Sequence, residues 1–437
     1  MSYRDALEYL YDQLPMFQRI GPAAYKKDLG NTLALCAHLG NPHRAFRSIH
    51  VGGTNGKGSV SHMLAAACQA AGLKTGLYVS PHYKDFRERI KVDGRYITRC
   101  QVVAFVEKHR DILEDIRPSF FEMCVVMAFD HFARERVDVA VVEVGLGGRL
   151  DSTNVITPLL SVITNISFDH QNLLGDTLPQ IAFEKAGIIK PGVRVVIGET
   201  HPGSAPVFLE KAREAGAEIV FADQHFQVVE KPGGDWESAV YDVFKHNELF
   251  RQNLRVDAAG PFQRKNIATA LQAWDVLLQN GLLPAAPGRL SQAFDAGLAR
   301  LRRLTRFIGR WQLIGRQPAV LCDSAHNEAG LRAVLQQTSA MSFRRVHIVL
   351  GFVNDKSVEA VLPLFPPAAR YYFAKADIPR GLEASVLREK AAGYGLVGKA
   401  YVSVRNALKA ARRAAGPGDL VLVTGSIFVV AEALPGR

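Results

Sequence analysis

The sequence predicts an α/β protein in which mostly parallel sheets are covered by helices, and two observations carry this prediction. Short apolar runs alternate with longer helical patterns along the chain, as they do in strand–helix–strand units. The run "DVAVVEV" at 138–144 is almost entirely apolar and β-branched, which is typical of a strand buried on both faces. A chain of 437 residues is long for a single core, so we expect two domains.

The individual elements follow from local patterns. The predicted strands are "RSIHV", "TGLYVS", "DVAVVEV", "LLSVITNI" and "VRVVIG", followed by "PAVLCDSA", "RVHIVLG", "RYYFA" and "DLVLVTGS". The segment "NIATALQAWDVLLQNG" repeats apolar residues with helical spacing and ends at a glycine. The segment "VVEKPGGDWESAVYDVF" is typical of an antiparallel hairpin with a Gly-Gly turn.

The domain boundary is predicted where helical character gives way to the arginine-rich segment "RLRRLTRFIGR". This places one domain at 1–300 and a smaller one, with a Rossmann-like α/β pattern, at 301–437. The arginines of this segment fit either a polyanion site or, as charge runs usually do, a solvated linker face.

Composition excludes several classes of protein. Apolar residues make up 48% and charged residues 22% of the chain, as in globular proteins. No apolar run approaches the ~20 residues of a membrane span, and the scattered five cysteines favour a reducing cytoplasm over disulfides or zinc. The net charge of +11 favours anionic partners, but no basic helix or aromatic-studded strand set indicates nucleic acid.

Polar residues follow the predicted strands where each strand ends. "IHV" leads into "GGTNGKGS", "LYV" into Ser80, "AVVEV" carries Glu143, "SVITNI" leads to Asp169, and "AVLCD" ends at Asp323. Because ligands bind beyond the carboxyl ends of strands in open α/β sheets, these positions are the candidate functional residues.

The segment "GGTNGKGS", Gly52–Ser59, resembles a phosphate-binding loop but departs from its usual spacing. The standard pattern is G-x-x-x-x-G-K-[ST], whereas here Gly58 separates Lys57 from Ser59. A glycine turn before a helix presents backbone N–H groups and the positive end of the helix dipole to an anion. The same pattern also fits a simple glycine turn with one solvated lysine.

Three further residues are ambiguous from the sequence alone. Glu143 ends an apolar strand, where a buried carboxylate needs a cation such as Mg²⁺ or a set of loop amides. His170 lies in a loop, and Mg²⁺ rarely takes imidazole as a ligand. Lys185 follows Glu184 in a helical segment and has the pattern of a solvated lysine.

The motifs together resemble the folylpolyglutamate synthase/dihydrofolate synthase group of the Mur ligase family. "GGTNGKGS" resembles that group's modified phosphate loop, which carries the extra glycine. The other matching segments, in the expected order, are "YVSPHYKDFRERIKVDG", "EVGLGGRLDSTN", "DHQNLLGDTLPQIAFEKAGIIK", "DSAHN" and "VLVTGSIFVVAE". The resemblance implies that 1–300 is an ATP-binding domain of the Mur ligase central type and that 301–437 is the glutamate ligase domain.

The resemblance also implies roles for single residues. The implied ATP contacts are Asn55, Gly56, Lys57, Gly58, Ser59, Asn266, Arg310, Asp323 and His326. The implied magnesium environment, for two ions, is Ser59, Ser80, Glu143, His170 and Lys185. The implied pteroate contacts are Phe121, Glu122 and Asp151. Lys57, Glu143, His170 and Lys185 are the implied catalytic residues, with Lys185 carboxylated to a carbamate that can support the second ion.

The implied activity is an ATP-dependent ligase that joins L-glutamate to a pteroate or folate carboxylate through an acyl phosphate. We expect a bifunctional dihydrofolate synthase and folylpolyglutamate synthase. The alternatives are a monofunctional folylpolyglutamate synthase, a peptidoglycan-precursor ligase or a nucleotide switch. The implied partners are ATP, Mg²⁺, a monovalent cation such as K⁺, dihydropteroate or reduced folates and L-glutamate, bound by a cytoplasmic monomer with no membrane or nucleic-acid partner.

Four positions depart from the pattern of that group. Val79 lies where threonine is frequent, Arg87 where asparagine is common, Val125 where threonine is frequent and Glu328 where proline is frequent. Because these positions adjoin the implied substrate site, they leave the preferred folate species open.

Overall fold

A computed structural model describes residues 1–14, 28–354 and 358–436 of the chain. The helices are α1 (Tyr3–Gln13), α2 (Gly30–His38), α3 (Lys57–Ala70), α4 (Arg99–Lys108), α5 (Arg110–Ile116), α6 (Phe120–Glu135), α7 (Gln171–Leu174), α8 (Leu178–Ala186), α9 (Ala205–Glu214), α10 (Ala222–His225), α11 (Gln263–Gln279), α12 (Pro287–Leu298), α13 (Leu301–Thr305), α14 (Glu328–Ser339), α15 (Ala384–Ala392), α16 (Val404–Ala414) and α17 (Ile427–Ala433). Within these ranges, no helix is both long and apolar enough to cross a bilayer.

The strands form three sheets. They are β1 (Arg47–Gly52), β2 (Thr75–Tyr78), β3 (Ile90–Val92), β4 (Arg95–Tyr96), β5 (Val139–Glu143), β6 (Leu160–Ile163), β7 (Val195–Ile197), β8 (Ile219–Phe221), β9 (Phe226–Lys231), β10 (Ala239–Lys245), β11 (Glu248–Val256), β12 (Gln312–Arg316), β13 (Ala319–Cys322), β14 (Val346–Leu350), β15 (Arg370–Ala374), β16 (Gly398–Tyr401) and β17 (Leu420–Thr424). Every strand predicted from an apolar run is present.

The chain divides into two compact units after Phe307, and the segments Gly234–Ser238 and Ala258–Phe262 group with the second unit. The prediction from sequence places the boundary near residue 300.

The first unit is built on an eight-stranded sheet with the order β4-β3-β2-β5-β1-β6-β7-β8. The six strands from β2 to β8 in that order are parallel. β3 pairs antiparallel with both β2 and β4, so β3 alone runs against the direction of the other described strands of this sheet. The prediction of a mostly parallel central sheet is therefore confirmed. Because β2, β5, β1 and β6 are consecutive neighbours, the polar residues that follow them lie at one edge of the sheet.

The central strand β5 is buried along its whole length. Ala140 and Val142 belong to a core that includes the apolar face of α6, while Val144 and Ile163 belong to a second core beneath α8 and α9. Burial on both faces explains the continuous apolar run that was used to predict this strand.

A three-stranded antiparallel sheet, in the order β11-β10-β9, extends the first unit. β9 and β10 pair antiparallel from Phe226↔Lys245 to Lys231↔Val240, so the predicted hairpin is confirmed. The helix α11 covers the predicted apolar segment, and Gly281 beyond it has a φ of 57°, as expected for a glycine that ends a helix.

The second unit has a six-stranded sheet in the order β12-β13-β17-β14-β15-β16. β12 pairs antiparallel with β13, and the remaining pairs are parallel. The helices α14 to α17 alternate with these strands along the chain, which confirms the predicted second α/β domain fold.

The arginine-rich segment is used largely for internal contacts. Nε of Arg302 donates to the carbonyl oxygen of Asp257 at 3.2 Å, and Nε of Arg306 donates to that of Gly94 at 2.9 Å. The Arg306 guanidinium also lies 4.9 Å from the ring centre of Tyr96. These contacts favour a structural role over a polyanion site for both arginines.

Candidate active site

The glycine loop joins the end of β1 to the start of α3. Gly53 has a φ of 130° and Gly56 a φ of 85°, in the region that favours glycine. A Cβ at Gly53 would lie 1.9 Å from Oγ1 of Thr164, and one at Gly56 would lie 2.3 Å from Oδ1 of Asn266. Both positions therefore require glycine for backbone conformation and for space, and Asn266 is placed directly against the loop.

The loop is held by residues that follow β6 and that were not among the predicted site residues. Oγ1 of Thr164 donates to the carbonyl oxygen of Asn55 at 2.6 Å, and the backbone N–H of Asn55 donates to Oδ1 of Asn165 at 3.0 Å. Nδ2 of Asn55 donates to Oγ of Ser167 at 3.2 Å. The only sequence signal for these residues is that they are polar and follow a strand.

Two lysines converge on one backbone oxygen of the loop. Nζ of Lys57 donates to the carbonyl oxygens of Gly53 and Thr54, both at 3.0 Å. Nζ of Lys185, at the end of α8, donates to the same Gly53 oxygen at 2.9 Å. The structure thus brings together the loop lysine and the helix lysine, which lie far apart in sequence.

Lys185 is not the solvated lysine that its sequence pattern suggests, because only 4% of it is exposed. Burial, and next the charge of Lys57, lower the pKa of Lys185 from its ordinary value of 10.5 to about 7. Asp169 and Asp151 act in the opposite direction. A large fraction of the amine is therefore neutral, and nucleophilic, near neutral pH.

Glu143 lies at the carboxyl end of β5 and is 4% exposed. Its Oε2 accepts the backbone N–H of Ser80 at 3.1 Å. A Cβ at Gly58, in the first turn of α3, would lie 3.6 Å from Oε1. The extra glycine of the loop therefore faces this carboxylate and leaves the space in front of it open.

His170 lies in the loop between β6 and α7. It adopts a φ of 51°, its backbone N–H donates to Oδ1 of Asp169 at 2.9 Å, and Nε2 lies 3.9 Å from the same oxygen. Because Asp169 acts electrostatically on Lys185, this loop belongs to the same edge of the sheet as the lysine pair.

A divalent cation at this edge would need ligands of several types, namely carboxylate, hydroxyl and imidazole groups. Across 1–14, 28–354 and 358–436, no three His, Cys, Asp or Glu side chains form a group that could hold a metal ion. The available donors are the buried Glu143 carboxylate and the side chains of Ser59, Ser80 and His170. Mg²⁺ prefers oxygen ligands and is usually bound by one or two carboxylates together with substrate phosphates and water. An anionic group on Lys185 would add a further oxygen ligand.

The loop 145–151 follows β5 and ends at Asp151. It packs against Phe121 of α6. A Cβ at Gly145 would lie 2.3 Å from Cζ of Phe121 and 3.1 Å from Oδ2 of Asp151. Asp151 is 3% exposed, and its Oδ2 accepts the backbone N–H of Leu146 at 2.8 Å. A Cβ at Gly148 would lie 2.8 Å from the carbonyl oxygen of Lys185, so the same loop also reaches the end of α8.

Glu122 has a clear structural role. It forms a capping box with Ser119 at the start of α6, in which its Oε2 accepts the backbone N–H of Ser119 at 2.5 Å. The other oxygen, Oε1, is buried and has no hydrogen-bond partner within the described part of the chain. The capping box therefore accounts for one oxygen of Glu122 only.

Asp323, Arg310 and His326 belong to the second unit. Asp323 is fully buried, and its two oxygens accept the backbone N–H groups of Trp311 at 2.8 Å and Ala325 at 2.9 Å. Burial raises the pKa of Asp323, while the charge of Arg310 acts against that rise. Nδ1 of His326 lies 3.1 Å from the carbonyl oxygen of Ser324. These three residues therefore cluster at the carboxyl end of β13.

Comparison with protein families identifies both halves of the chain. The Mur ligase middle domain matches residues 51–274, and the glutamate ligase domain of Mur ligases matches residues 309–427. The chain therefore belongs to the Mur ligase family.

Within that family, named relatives extend over the full chain. A dihydrofolate synthase/folylpolyglutamate synthase of Bacillus subtilis is 32% identical, with 99% of this chain and 98% of that protein covered. A probable bifunctional folylpolyglutamate synthase/dihydropteroate synthase of Haloferax volcanii is 33% identical over 99% of this chain, but the chain spans only 50% of that protein. The resemblance inferred from the motifs is confirmed.

Solved structures agree with this grouping. Escherichia coli FolC in complex with DHPP and ADP is 28% identical, with a TM-score of 0.84 over 99% of this chain and 97% of that one. A bifunctional folylpolyglutamate synthase/dihydrofolate synthase of Yersinia pestis, complexed with AMPPNP and a Mn ion, is 26% identical, with a TM-score of 0.82 over 99% and 97%. The Mur ligase fold predicted from sequence is therefore confirmed for both units.

Proposed function

We propose that this protein is an ATP-dependent ligase that joins L-glutamate to the carboxylate of a pteroate or folate, and that it does so with both dihydropteroate and reduced folates. The observation that carries the proposal is the convergence of Lys57 and Lys185 on the Gly53 carbonyl, in a loop whose Gly58 faces the buried Glu143. The names of the relatives and the nucleotides and DHPP bound by the solved structures support it.

The reaction proceeds in two balanced steps. A carboxylate oxygen attacks the γ-phosphorus of ATP, which forms an acyl phosphate and releases ADP. The neutral amine of glutamate then attacks the acyl carbon, loses a proton and expels inorganic phosphate, which leaves an amide. Catalysis of such a transfer consists mainly of positioning and of charge neutralisation.

The glycine loop supplies the positive charge for the first step. The N–H groups at the start of α3 and the positive end of its dipole face the phosphates. Lys57 exchanges its loop carbonyls for β- and γ-phosphate oxygens, and Asn55, Gly56, Gly58 and Ser59 line the same turn. Asn266 packs against Gly56 and fixes the turn from outside.

The proposed magnesium ligands lie at the edge of the sheet formed by the carboxyl ends of the parallel strands. Glu143, with Ser59, Ser80 and His170, would hold Mg²⁺, which neutralises the phosphate charge when it is bound. Glu143 is kept in place by the backbone N–H of Ser80, and the absence of a side chain at Gly58 keeps the space before the carboxylate open.

Lys185 carries a carbamate in the active protein. Carbamate forms when a neutral amine attacks CO₂ and loses a proton, and the lowered pKa of Lys185 provides that neutral amine. The product is an anionic oxygen ligand in place of a cation. It also removes the repulsion between Lys185 and Lys57.

The pteroate side of the site comprises Phe121, Glu122 and Asp151. Phe121 lies against Gly145 and offers an aromatic surface for the pterin ring. The unpartnered Oε1 of Glu122 would accept an N–H of the ligand, because a buried carboxylate oxygen without a donor is costly. In the second unit, Arg310, Asp323 and His326 are proposed nucleotide contacts.

The decisive experiment offers dihydropteroate and tetrahydrofolate separately, with ATP, Mg²⁺ and isotope-labelled glutamate, and identifies the products by mass. We expect one glutamate to be added to each acid, with one ADP released per amide. Product from tetrahydrofolate alone would indicate a monofunctional folylpolyglutamate synthase. ATP hydrolysis that ignores both acids and glutamate would contradict the proposal.

Three expectations from the resemblance stay predictions. They are a monovalent cation such as K⁺ at the site, a monomeric state and a cytoplasmic location.

A further inference from the structure

A buried chain of hydrogen bonds lies behind Asp151 and ends at a histidine in β1. Oγ1 of Thr153 lies 2.5 Å from Oδ1 of Asp151, and Nε2 of His50 lies 2.9 Å from the same hydroxyl oxygen. His50 and Thr153 are fully buried, and Asp151 is 3% exposed. Neither His50 nor Thr153 belongs to the ATP, metal or pteroate residues proposed above.

The direction of the hydrogen bonds follows from the donors around Asp151. Its Oδ1 accepts the backbone N–H of Thr153 at 3.0 Å, and its Oδ2 accepts that of Leu146 at 2.8 Å. The Thr153 hydroxyl donates its proton to the same Oδ1. The hydroxyl oxygen can then accept only from an N–H at Nε2 of His50.

The state of His50 is consistent with this direction. Burial, and next the charge of Lys190, lower the pKa of His50 to about 3, so the ring is neutral. Its Nδ1 is buried and has no hydrogen-bond partner within the described ranges. The tautomer with the proton on Nε2 is favoured because it leaves no buried N–H without an acceptor.

Asp151 in turn adjoins the surface on which the pterin is proposed to bind. Its Oδ2 lies 3.1 Å from the position that a Cβ of Gly145 would take, and Phe121 packs on the same glycine. We propose that His50 and Thr153 are positioning residues for the pterin: they hold Asp151, and through it the Gly145–Phe121 contact, in the geometry that binds substrate. This inference rests on the proposed function.

The test uses a matched pair of substitutions at Thr153. Thr153→Ser keeps the hydroxyl, whereas Thr153→Val keeps the shape and removes it. We expect Thr153→Val to raise the KM for dihydropteroate about tenfold or more, because a buried hydrogen bond to Asp151 is lost. The KM for ATP should change less than about twofold. Thr153→Ser should behave like the natural protein.

Two further measurements separate positioning from general stability. Nitrogen-15 NMR of the histidine rings should show His50 protonated at Nε2, and the His50 signal should shift in Thr153→Val. His50→Gln, whose amide can still donate, should retain more dihydropteroate binding than His50→Leu when both have similar melting temperatures.

Several outcomes would overturn the inference. They are an equal rise of both KM values, an unchanged KM for dihydropteroate in Thr153→Val, or a proton on Nδ1 of His50. The proposed function fails in a different way, since the natural protein would then add no glutamate to any pterin acid.

Discussion

The residue whose role changes most between sequence and structure is Lys185. Its sequence context, next to Glu184 in a helix, is typical of a solvated lysine, and only the family resemblance indicated a function. The structure buries it and directs its amine to the oxygen that also accepts from Lys57. Local pattern could not predict this, because the contact joins residues 132 apart in the chain.

We predict that Lys185 takes up CO₂ selectively. With a pKa of about 7, its neutral fraction rises between pH 6 and 8, whereas an ordinary lysine stays protonated there. At fixed dissolved ¹³CO₂, a carbamate signal in ¹³C NMR should therefore grow over this range. Lys185→Ala should abolish the signal and Lys399→Ala, at an exposed lysine, should retain it. A signal that survives Lys185→Ala would assign the carbamate elsewhere.

The same residue yields a prediction for activity. Lys185→Ala should reduce glutamate ligation by about a hundredfold or more, because an anionic oxygen ligand and its positioning are lost. Added acetate or formate should restore part of the rate, since a short acid can enter the vacated space and supply the missing oxygens. Near-normal ligation by Lys185→Ala would show that the lysine is dispensable.

At the scale of elements, the proposed phosphate site is formed by the strand β1, the glycine loop and the helix α3. The strand, the turn and the helix were all predicted from the sequence. The residues that hold the turn, Thr164, Asn165 and Ser167, were not predicted, because their partners lie across the sheet and no local pattern encodes that contact.

A substitution at Gly58 should affect nucleotide binding without destabilising the fold. Its φ is not in the positive range, and a Cβ there would lie 3.6 Å from Oε1 of Glu143, an ordinary contact distance. Alanine also stabilises a helix relative to glycine by about 0.5–1 kcal/mol. We therefore expect Gly58→Ala to leave the melting temperature unchanged or raised, while the KM for Mg-ATP rises.

Gly56→Ala should differ from Gly58→Ala in its effect on stability. Its positive φ and the predicted clash with Asn266 should lower both stability and nucleotide binding. Gly192→Ala is the matched control, because it has a φ of 69° with nothing within 4 Å of the added Cβ, and it should lose stability alone. If Gly58→Ala left the KM for Mg-ATP unchanged, the proposed purpose of the extra glycine would be wrong.

At the scale of the whole molecule, the fold was predicted from the long apolar runs and the missed strands are short or peripheral. β4 has two residues and β3 and β8 have three each, too few to show a periodicity. β12 and β16 lie at the two edges of the second sheet and carry mostly half-exposed residues, so their sequences lack the apolar signal of a buried strand.

Buried neutral histidines predict a loss of stability in acid. Burial lowers the pKa of His50 to about 3 and that of His62 well below 6.5, so below pH 6.5 the unfolded chain binds protons that the native chain does not. The free energy of unfolding is therefore highest above about pH 7 and decreases as the pH is lowered. The loss at pH 5.5 is about 1.4 kcal/mol for each such histidine.

The measurement is the urea midpoint at pH 7.5, 6.5 and 5.5. His62→Gln, in which the amide can replace the ring in its contact with Thr305, should show a shallower decline than the natural chain. A midpoint independent of pH over this range would contradict the assignment of both histidines as neutral.

The contacts that hold the glycine loop determine how much of the chain must be synthesised before the loop can take its native conformation. The partners of Thr54 and Asn55 follow them by 109 to 113 residues, and β1 itself lies between β5 and β6. A nascent chain that ends before Ser167 therefore lacks the scaffold of its own phosphate cradle. ATP can therefore stabilise this loop only after the chain has been made beyond Ser167 and β6 has paired with β1.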